Sequence, residues 1–190
     1  MEAEKKVYHA FLKTKESRLY YNQIKEHTGL SHSSLQNVLE KLKKKNIINE
    51  EKTKANTFYK IKDKKIFNLR FSEIAIQKFN KLNPNVKTPL KHFLKNLSEN
   101  IYTIILFGSS SRKEENKHSD IDLLIVSNKK IDLSKNKKKA EITSKHPISI
   151  FQSTITQFKK NTDDIIIQAR KTGFPIHKEQ NFYEAILDEY

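Results

Sequence analysis

Apolar residues recur at helical spacing through most of the first fifty residues. Residues 3–14 predict a first helix, and a short strand at Leu19–Tyr21 precedes a second helix that starts near Asn22. The side chain of Asn22 is predicted to cap that helix, because it can accept from an unpaired backbone donor. Gly29 is predicted to end the helix in a left-handed conformation, and Ser31 to begin the next one.

The third helix carries one apolar stripe, formed by Leu35, Val38, Leu39 and Leu42. Residues 47–61 then predict two strands joined by a polar, basic turn. Three helices with a glycine between the last two, followed by a hairpin, are the element order of a winged helix-turn-helix.

The middle of the chain, residues 66–99, is predicted to be helical. Ser72 is placed as a cap, Pro84 and Pro89 mark a break, and Pro89 suits the first turn of a following helix. We therefore expect a winged helix-turn-helix domain over residues 1–65, a helical linker over 66–87 and a second domain over 88–190.

The second half of the chain begins with the nearly continuous apolar run "IYTIILFG", which predicts a central strand buried on both faces. Ser119-Asp120-Ile121-Asp122 opens a second strand, and "ISIFQST" is a third after a mostly helical stretch. Helical segments and the short strand "FPIHK" complete the chain. The fold class is therefore α/β (α+β), in which a small mixed sheet is flanked by helices.

The motif with chemical content is "GSSSRKEENKHSDIDLLIV". Gly108 follows a buried strand, where a glycine lets a ligand approach the backbone and successive N–H groups can bind anions. Arg112 can add a phosphate contact. Because strand side chains alternate, Asp120 and Asp122 share one face and can ligate Mg²⁺, or Mn²⁺, together with substrate phosphates.

Composition narrows the function classes. The chain has no cysteine, which excludes disulfides and cysteine-ligated zinc, and no apolar run approaches the ~20 residues of a membrane span. It lacks a signal-peptide core, so we expect a cytoplasmic protein. Its net charge is +15, and residues 1–100 contribute most of it, with 22 Lys/Arg against 10 Asp/Glu.

The basic first half favours double-stranded DNA as a partner. "TGLSHSSLQNVLEKLKKKNII" resembles the winged-helix regulators of archaea and bacteria, in which the third helix enters the major groove. A winged helix can also serve for dimerisation or protein docking, and a homodimer is expected. The expected DNA-contacting residues lie on the third helix and the hairpin: Ser31, Ser33, Ser34, Gln36, Asn37, Lys41, Lys43, Lys52 and Lys54.

Over about residues 88–187 the chain resembles the polymerase-beta-like minimal nucleotidyltransferases, whose signature is Gly-Ser, an Arg soon after, and Ser-Asp-x-Asp before aliphatic residues. The resemblance implies transfer of a nucleoside monophosphate from a nucleoside triphosphate, here taken as ATP, with a divalent metal. It assigns nucleotide contacts to Gly108, Ser109, Arg112 and Ser119, and the catalytic, metal-ligating roles to Asp120 and Asp122.

Two departures from the family pattern bear on activity. Lys113 stands where a glycine often follows the arginine, and the third strand lacks the third carboxylate of active members. Its polar residues are Ser149 and Gln152. Other acids lie on neighbouring helices. Glu141 is predicted to be a solvated surface residue, and Asp163 and Asp164 are predicted to cap a helix rather than to substitute for the missing ligand.

The sequence therefore leaves three hypotheses about function open. The first is a nucleotidyltransferase fused to a DNA-binding domain, with a protein acceptor such as a toxin among the candidates. The second is a catalytically weak or inactive, nucleotide-sensing transcriptional regulator. The third is an antitoxin-like protein in which both domains mainly bind partners.

Overall fold

The computed structural model describes residues 2–190. Within them the chain forms ten α-helices and seven β-strands in two sheets. The chain divides into two compact units: the residues up to Ile74 together with Tyr183–Tyr190, and Ala75–Phe182. No helix in this part of the chain is long and apolar enough to cross a membrane.

The first unit has the element order expected of a winged helix. Its three-stranded sheet is antiparallel, with strand order β1-β3-β2. The elements are α1 (Ala3–Thr14), β1 (Arg18–Tyr20), α2 (Tyr21–Thr28), α3 (His32–Lys44), β2 (Ile48–Lys52) and β3 (Thr57–Ile61).

Local signals fix the ends of α2 and α3. Gly29 has φ +59° and ends α2, and the Ser31 hydroxyl accepts a hydrogen bond from the Ser34 N–H at 3.3 Å, so both predictions are confirmed. The prediction for Asn22 is wrong. Helix α2 begins at Tyr21, and the Gln23 side chain reaches back to accept from the Tyr20 N–H at 3.1 Å.

The core of this unit is apolar and partly aromatic. Leu35, Leu39 and Leu42 are fully buried, as the apolar stripe of α3 predicts. The ring of Phe67 meets those of Tyr8 and Phe11 edge to face, with centroids 5.0 and 5.2 Å apart.

The middle helices begin earlier than the sequence suggests. Helix α4 spans Lys64–Asn80, so Ser72 is not a cap; it is buried inside the helix and donates to the Asn68 side chain. Helix α5 spans Pro84–Phe93. Pro84 takes its first position, where the missing N–H costs nothing, and Pro89 lies within the helix rather than at its start.

The second unit is built on a four-stranded mixed sheet of order β6-β5-β4-β7, in which only the β5–β6 pair is parallel. Strand β4 is an inner strand, as predicted. The elements are β4 (Ile101–Phe107), α6 (Gly108–Arg112), β5 (Ile121–Ser127), α7 (Ser134–Glu141), β6 (Ile148–Thr154), α8 (Ile155–Lys160), α9 (Asp164–Thr172) and β7 (Phe174–His177). Helix α10 (Glu179–Asp188) follows, and its residues from Tyr183 onward belong to the first unit.

Register across this sheet determines which side chains meet. Phe107 pairs with Asp122, and Asp122 pairs with Ser149, so these three residues form a row across β4, β5 and β6 on one face. Strand β5 begins at Ile121, one residue after Asp120. The face that carries Asp122 also carries Leu124 and Phe151, because side chains two residues apart on a strand point the same way.

Candidate functional site

The turn after β4 brings the two halves of the motif together. Gly108 has φ +70°, a backbone conformation that residues with a side chain rarely adopt. A Cβ atom placed on Gly108 would lie 2.3 Å from Oδ2 of Asp122, closer than any real contact. The absence of a side chain at residue 108 is therefore what allows the Asp122 carboxylate to lie directly against the turn.

Serine hydroxyls hold this arrangement in place. Ser110, fully buried, donates to the backbone carbonyl of Asp120 at 3.0 Å, and Ser111 donates to the carbonyl of Gly108 at 2.8 Å. Sequence reasoning did not single out these two serines. The signal that could have found them is the Ser-Ser pair directly after Gly-Ser, where a short polar side chain can bond to nearby backbone.

Asp120 and Asp122 are both half-buried. Burial raises the pKa of the Asp122 carboxyl, and the neighbouring charge of Asp120 raises it further. Ser149, the register partner of Asp122, donates its hydroxyl to Oδ2 of Asp120 at 2.8 Å. The two carboxylates lie on one face, and the hydroxyl of Ser149 is their polar neighbour on β6. Negative charge is therefore concentrated at this site.

This donor set fits a hard divalent cation bound with water and substrate. No group of three or more His, Asp or Glu side chains within residues 2–190 is arranged to hold a metal ion. Magnesium nonetheless often binds through one or two carboxylates and completes its shell with water and phosphate oxygens. A cation would also relieve the repulsion that raises the pKa of Asp122.

The remaining residues expected to contact nucleotide surround the turn. Arg112 donates to the carbonyl of Gly108 at 3.1 Å and pairs with Glu114 at 2.6 Å, so its guanidinium lies beside the turn. Ser109 is half-buried in the first turn of α6. The Ser119 hydroxyl accepts from the Asn116 N–H at 2.9 Å and so supports the loop before Asp120.

Of the residues weighed as substitutes for a third acid, only Ser149 contacts the carboxylate pair. Gln152 lies three residues further along β6, on the other face, and its amide bonds to both backbone groups of Ile131 at 3.0 Å. Asp163 caps α9 by accepting from two backbone N–H groups, at 2.9 and 3.2 Å, as predicted. Glu141 pairs with Lys137 at 3.7 Å on the surface, and Asp164 is exposed in the first turn of α9.

The residues expected to read DNA fall into two groups. Those at the start of α3 are exposed: Ser31, Ser33, Ser34, Gln36 and Asn37. Of these, Gln36 lines a groove of about 410 Å³ whose other walls include residues of α2 and the hairpin.

The lysines of the first unit differ in their surroundings. Lys41 pairs with Glu4 at 2.8 Å, and Lys43 pairs with both Glu40 and Glu50. Lys52 approaches Glu50 at 3.5 Å, and Lys54 is exposed in the turn of the hairpin. Lys41 and Lys43 are therefore engaged in ion pairs within the protein, whereas Lys54 projects from the hairpin.

Two family models match the chain, one within each unit. Residues 89–172 match the model described as "Nucleotidyltransferase domain", and residues 1–65 match the model described as "Sugar-specific transcriptional regulator TrmB". The chain therefore carries a nucleotidyltransferase domain behind a winged helix-turn-helix regulator domain. No curated protein and no solved structure is significantly similar to it.

Proposed function

We propose that the nucleotidyltransferase domain transfers a nucleoside monophosphate from a nucleoside triphosphate, ATP in the first instance, to a hydroxyl-bearing acceptor. The winged helix in the same chain binds double-stranded DNA. The observation that carries the enzymatic part is the position of Gly108, whose missing side chain is filled by the carboxylate of Asp122. The turn that would bind phosphate and the pair of acids are thus in direct contact.

The proposed reaction forms one phosphorus–oxygen bond and breaks another. The acceptor oxygen bonds to the α-phosphorus, the bond from the α-phosphorus to the oxygen bridging to the β-phosphate breaks, and pyrophosphate leaves. The hydroxyl proton passes to solvent. Positioning and neutralisation of phosphate charge supply the rate enhancement in such transfers.

Each part of the site has a role in that scheme. The backbone N–H groups of the Gly108-Ser109 turn donate to phosphate oxygens, and Arg112, which lies beside the turn, adds positive charge. Asp120 and Asp122 would hold a divalent cation, magnesium or manganese, which supplies charge neutralisation when bound. Ser110 and Ser149 position Asp120 through its carbonyl and its carboxylate, respectively.

The proposed DNA interface is the exposed start of α3. Ser33, Gln36 and Asn37 carry the donors and acceptors that base edges require, and the basic hairpin turn contacts phosphates through Lys54. The Ser31 hydroxyl is used to cap the helix, so it orients α3 rather than reading a base. The match to a transcriptional regulator domain supports this assignment.

The test of transfer uses ATP labelled at the α-phosphate, Mg²⁺ or Mn²⁺, and candidate acceptors that include proteins, small molecules and nucleic acid ends. We expect incorporation by the wild-type protein and a loss of at least about a hundredfold in D120N/D122N. Glu141→Gln, which removes a surface acid of the same domain, is the control and should leave the rate unchanged. Absence of incorporation into every acceptor class contradicts the transfer reaction.

A second function has one observation in its favour. The residue paired with Asp122 on the neighbouring strand is Ser149, a neutral group that cannot take a proton from an incoming hydroxyl as a carboxylate can. The domain would then bind nucleotide without fast transfer, and the winged helix would report the bound state to DNA. Metal-dependent nucleotide binding without incorporation, together with nucleotide-dependent DNA affinity, is the outcome that favours this alternative.

A further inference from the structure

The sheet face that carries the two acids continues into a cavity. Leu124 follows Asp122 by two residues on β5, and Phe151 follows Ser149 by two residues on β6; the sheet register pairs Leu124 with Phe151 as it pairs Asp122 with Ser149. Two residues of a strand span about 7 Å. Leu124 and Phe151 therefore lie on the same face as the acids, one step further along the strands.

Leu124 and Phe151 border a cavity of about 320 Å³ between β6 and the start of α9. Its apolar wall is formed by Leu124, Phe151, Ile165 and Ile166, and its polar groups include Gln157 and Asp163. Phe151 also packs against Phe107, the residue before the glycine turn, with ring centroids 5.7 Å apart. The two rings thus connect the turn to the cavity wall.

We propose that this cavity binds the base, with its ribose, of the nucleoside triphosphate whose phosphates lie at Gly108 and the acids. This inference rests on the proposed function. Three features of the cavity support it: apolar and aromatic walls suit the faces of a planar base, a few polar groups suit its edge, and the volume lies at the lower end of the range for small-molecule sites. The cavity wall begins about 7 Å along the strands from Asp122, so one nucleotide can reach both places.

The experiment separates the base from the phosphates by comparing two ligands. One is an ATP analogue with a non-hydrolysable link between the α- and β-phosphates, and the other is inorganic tripolyphosphate. Both are titrated calorimetrically against the full chain in the presence of Mn²⁺. The variants are Ile165→Ala and Phe151→Leu, which reduce the apolar wall without introducing charge, and Ile142→Ala is the control because Ile142 is 83% exposed elsewhere in the same unit.

We expect the wild-type protein to bind the ATP analogue at least about tenfold more tightly than tripolyphosphate. Ile165→Ala and Phe151→Leu should each weaken binding of the ATP analogue about three- to tenfold and leave binding of tripolyphosphate unchanged. Ile142→Ala should change neither affinity. Thermal unfolding of each variant identifies any loss that arises from misfolding, and retained tripolyphosphate binding gives a second check on the fold.

Two other outcomes overturn the inference in different ways. Equal affinity for the two ligands, or variants that leave binding of the ATP analogue unchanged, would mean that the cavity does not receive the base, although the phosphate site would stand. Failure of both ligands to bind in the presence of metal would remove the phosphate site, and the proposed function would fail together with the base site.

Discussion

Gly108 combines two constraints that no other residue type satisfies. Its φ of +70° is unfavourable for a residue with a side chain, and a Cβ there would meet Oδ2 of Asp122 at 2.3 Å. We expect Gly108→Ala to lower the free energy of unfolding by more than about 1 kcal/mol and to abolish metal-dependent binding of tripolyphosphate. Denaturant unfolding and calorimetry measure the two effects.

Gly29→Ala is a matched control for that substitution. Gly29 has a similar φ of +59°, but a Cβ atom there has nothing within 4 Å. It should cost about 1 kcal/mol of stability through backbone conformation alone and leave tripolyphosphate binding intact. Equal loss of binding in both variants would show that the effect at residue 108 is one of general destabilisation.

Glu50 gives the winged helix a defined pH dependence. The hydrogen bond from Lys43 lowers the pKa of the Glu50 carboxyl and outweighs the opposing effect of burial. A carboxyl with a depressed pKa in the folded state stabilises the protein above its unfolded pKa of about 4.3, and this contribution is lost as pH falls through the folded value.

We therefore expect Glu50→Gln to be less stable than the wild type by about 1 kcal/mol at pH 7 and by a smaller amount at pH 3.5. Urea unfolding followed by circular dichroism at the two pH values measures the difference. Glu26→Gln changes an exposed glutamate of α2 and should show no such difference at either pH. A Glu50→Gln deficit of the same size at both pH values would assign the effect to packing rather than to charge.

Helix α9 depends on its capping residue. Asp163 accepts from the N–H groups of Ile165 and Ile166, which otherwise lack partners at the helix start. Asp163→Ala should cost about 1 kcal/mol of stability, and Asp163→Asn clearly less, because asparagine is an equally good cap. Neither should change the affinity for Mn²⁺ measured with tripolyphosphate; a tenfold loss in Asp163→Asn would instead identify Asp163 as a metal ligand.

Elements with strong local signals were predictable from the sequence. Gly29 and Ser31 mark the junction of α2 and α3 through local backbone chemistry, and the apolar run of β4 identifies an inner strand. A helix start was misplaced where two residues can serve as caps: Ser72 resembles a cap, but α4 already begins at Lys64, where the Asp63 side chain accepts from the Ile66 N–H. Residue type alone does not decide which of two possible caps a helix uses.

Some residues of the candidate site were likewise predictable from the sequence, whereas the contacts between distant elements were not. Gly108, Asp120 and Asp122 belong to one contiguous motif, so sequence spacing is enough to nominate them. The contact from Ser149 to Asp120 depends on the register of two parallel strands separated by a helix, and no local pattern specifies that register. The ion pair from Lys41 to Glu4 likewise joins elements distant in sequence, so it could not be anticipated from the charge pattern. Lys43 differs, because its partners Glu40 and Glu50 are close to it in sequence.

Positive charge is distributed unevenly over the whole chain. Residues 1–100 carry 22 Lys/Arg against 10 Asp/Glu, and residues 101–190 carry 15 against 12. A polyanion such as duplex DNA should therefore associate through the first half, and its affinity should fall steeply with salt because bound lysines release counterions from the DNA. D120N/D122N removes two negative charges from the other half and should leave this salt dependence unchanged.

Lysines and polar residues of the winged helix should affect DNA binding in different ways. Lys54→Gln is expected to weaken binding to duplexes of any sequence and to reduce the slope of log K against log salt by about one, because one phosphate contact is lost. Gln36→Ala should leave the slope unchanged and alter the preference among sequences, since its amide is proposed to contact base edges. Fluorescence anisotropy over a range of KCl concentrations measures both. Lys160→Gln, an exposed lysine of the second unit, is the control, and a slope change equal to that of Lys54→Gln would place the DNA outside the winged helix.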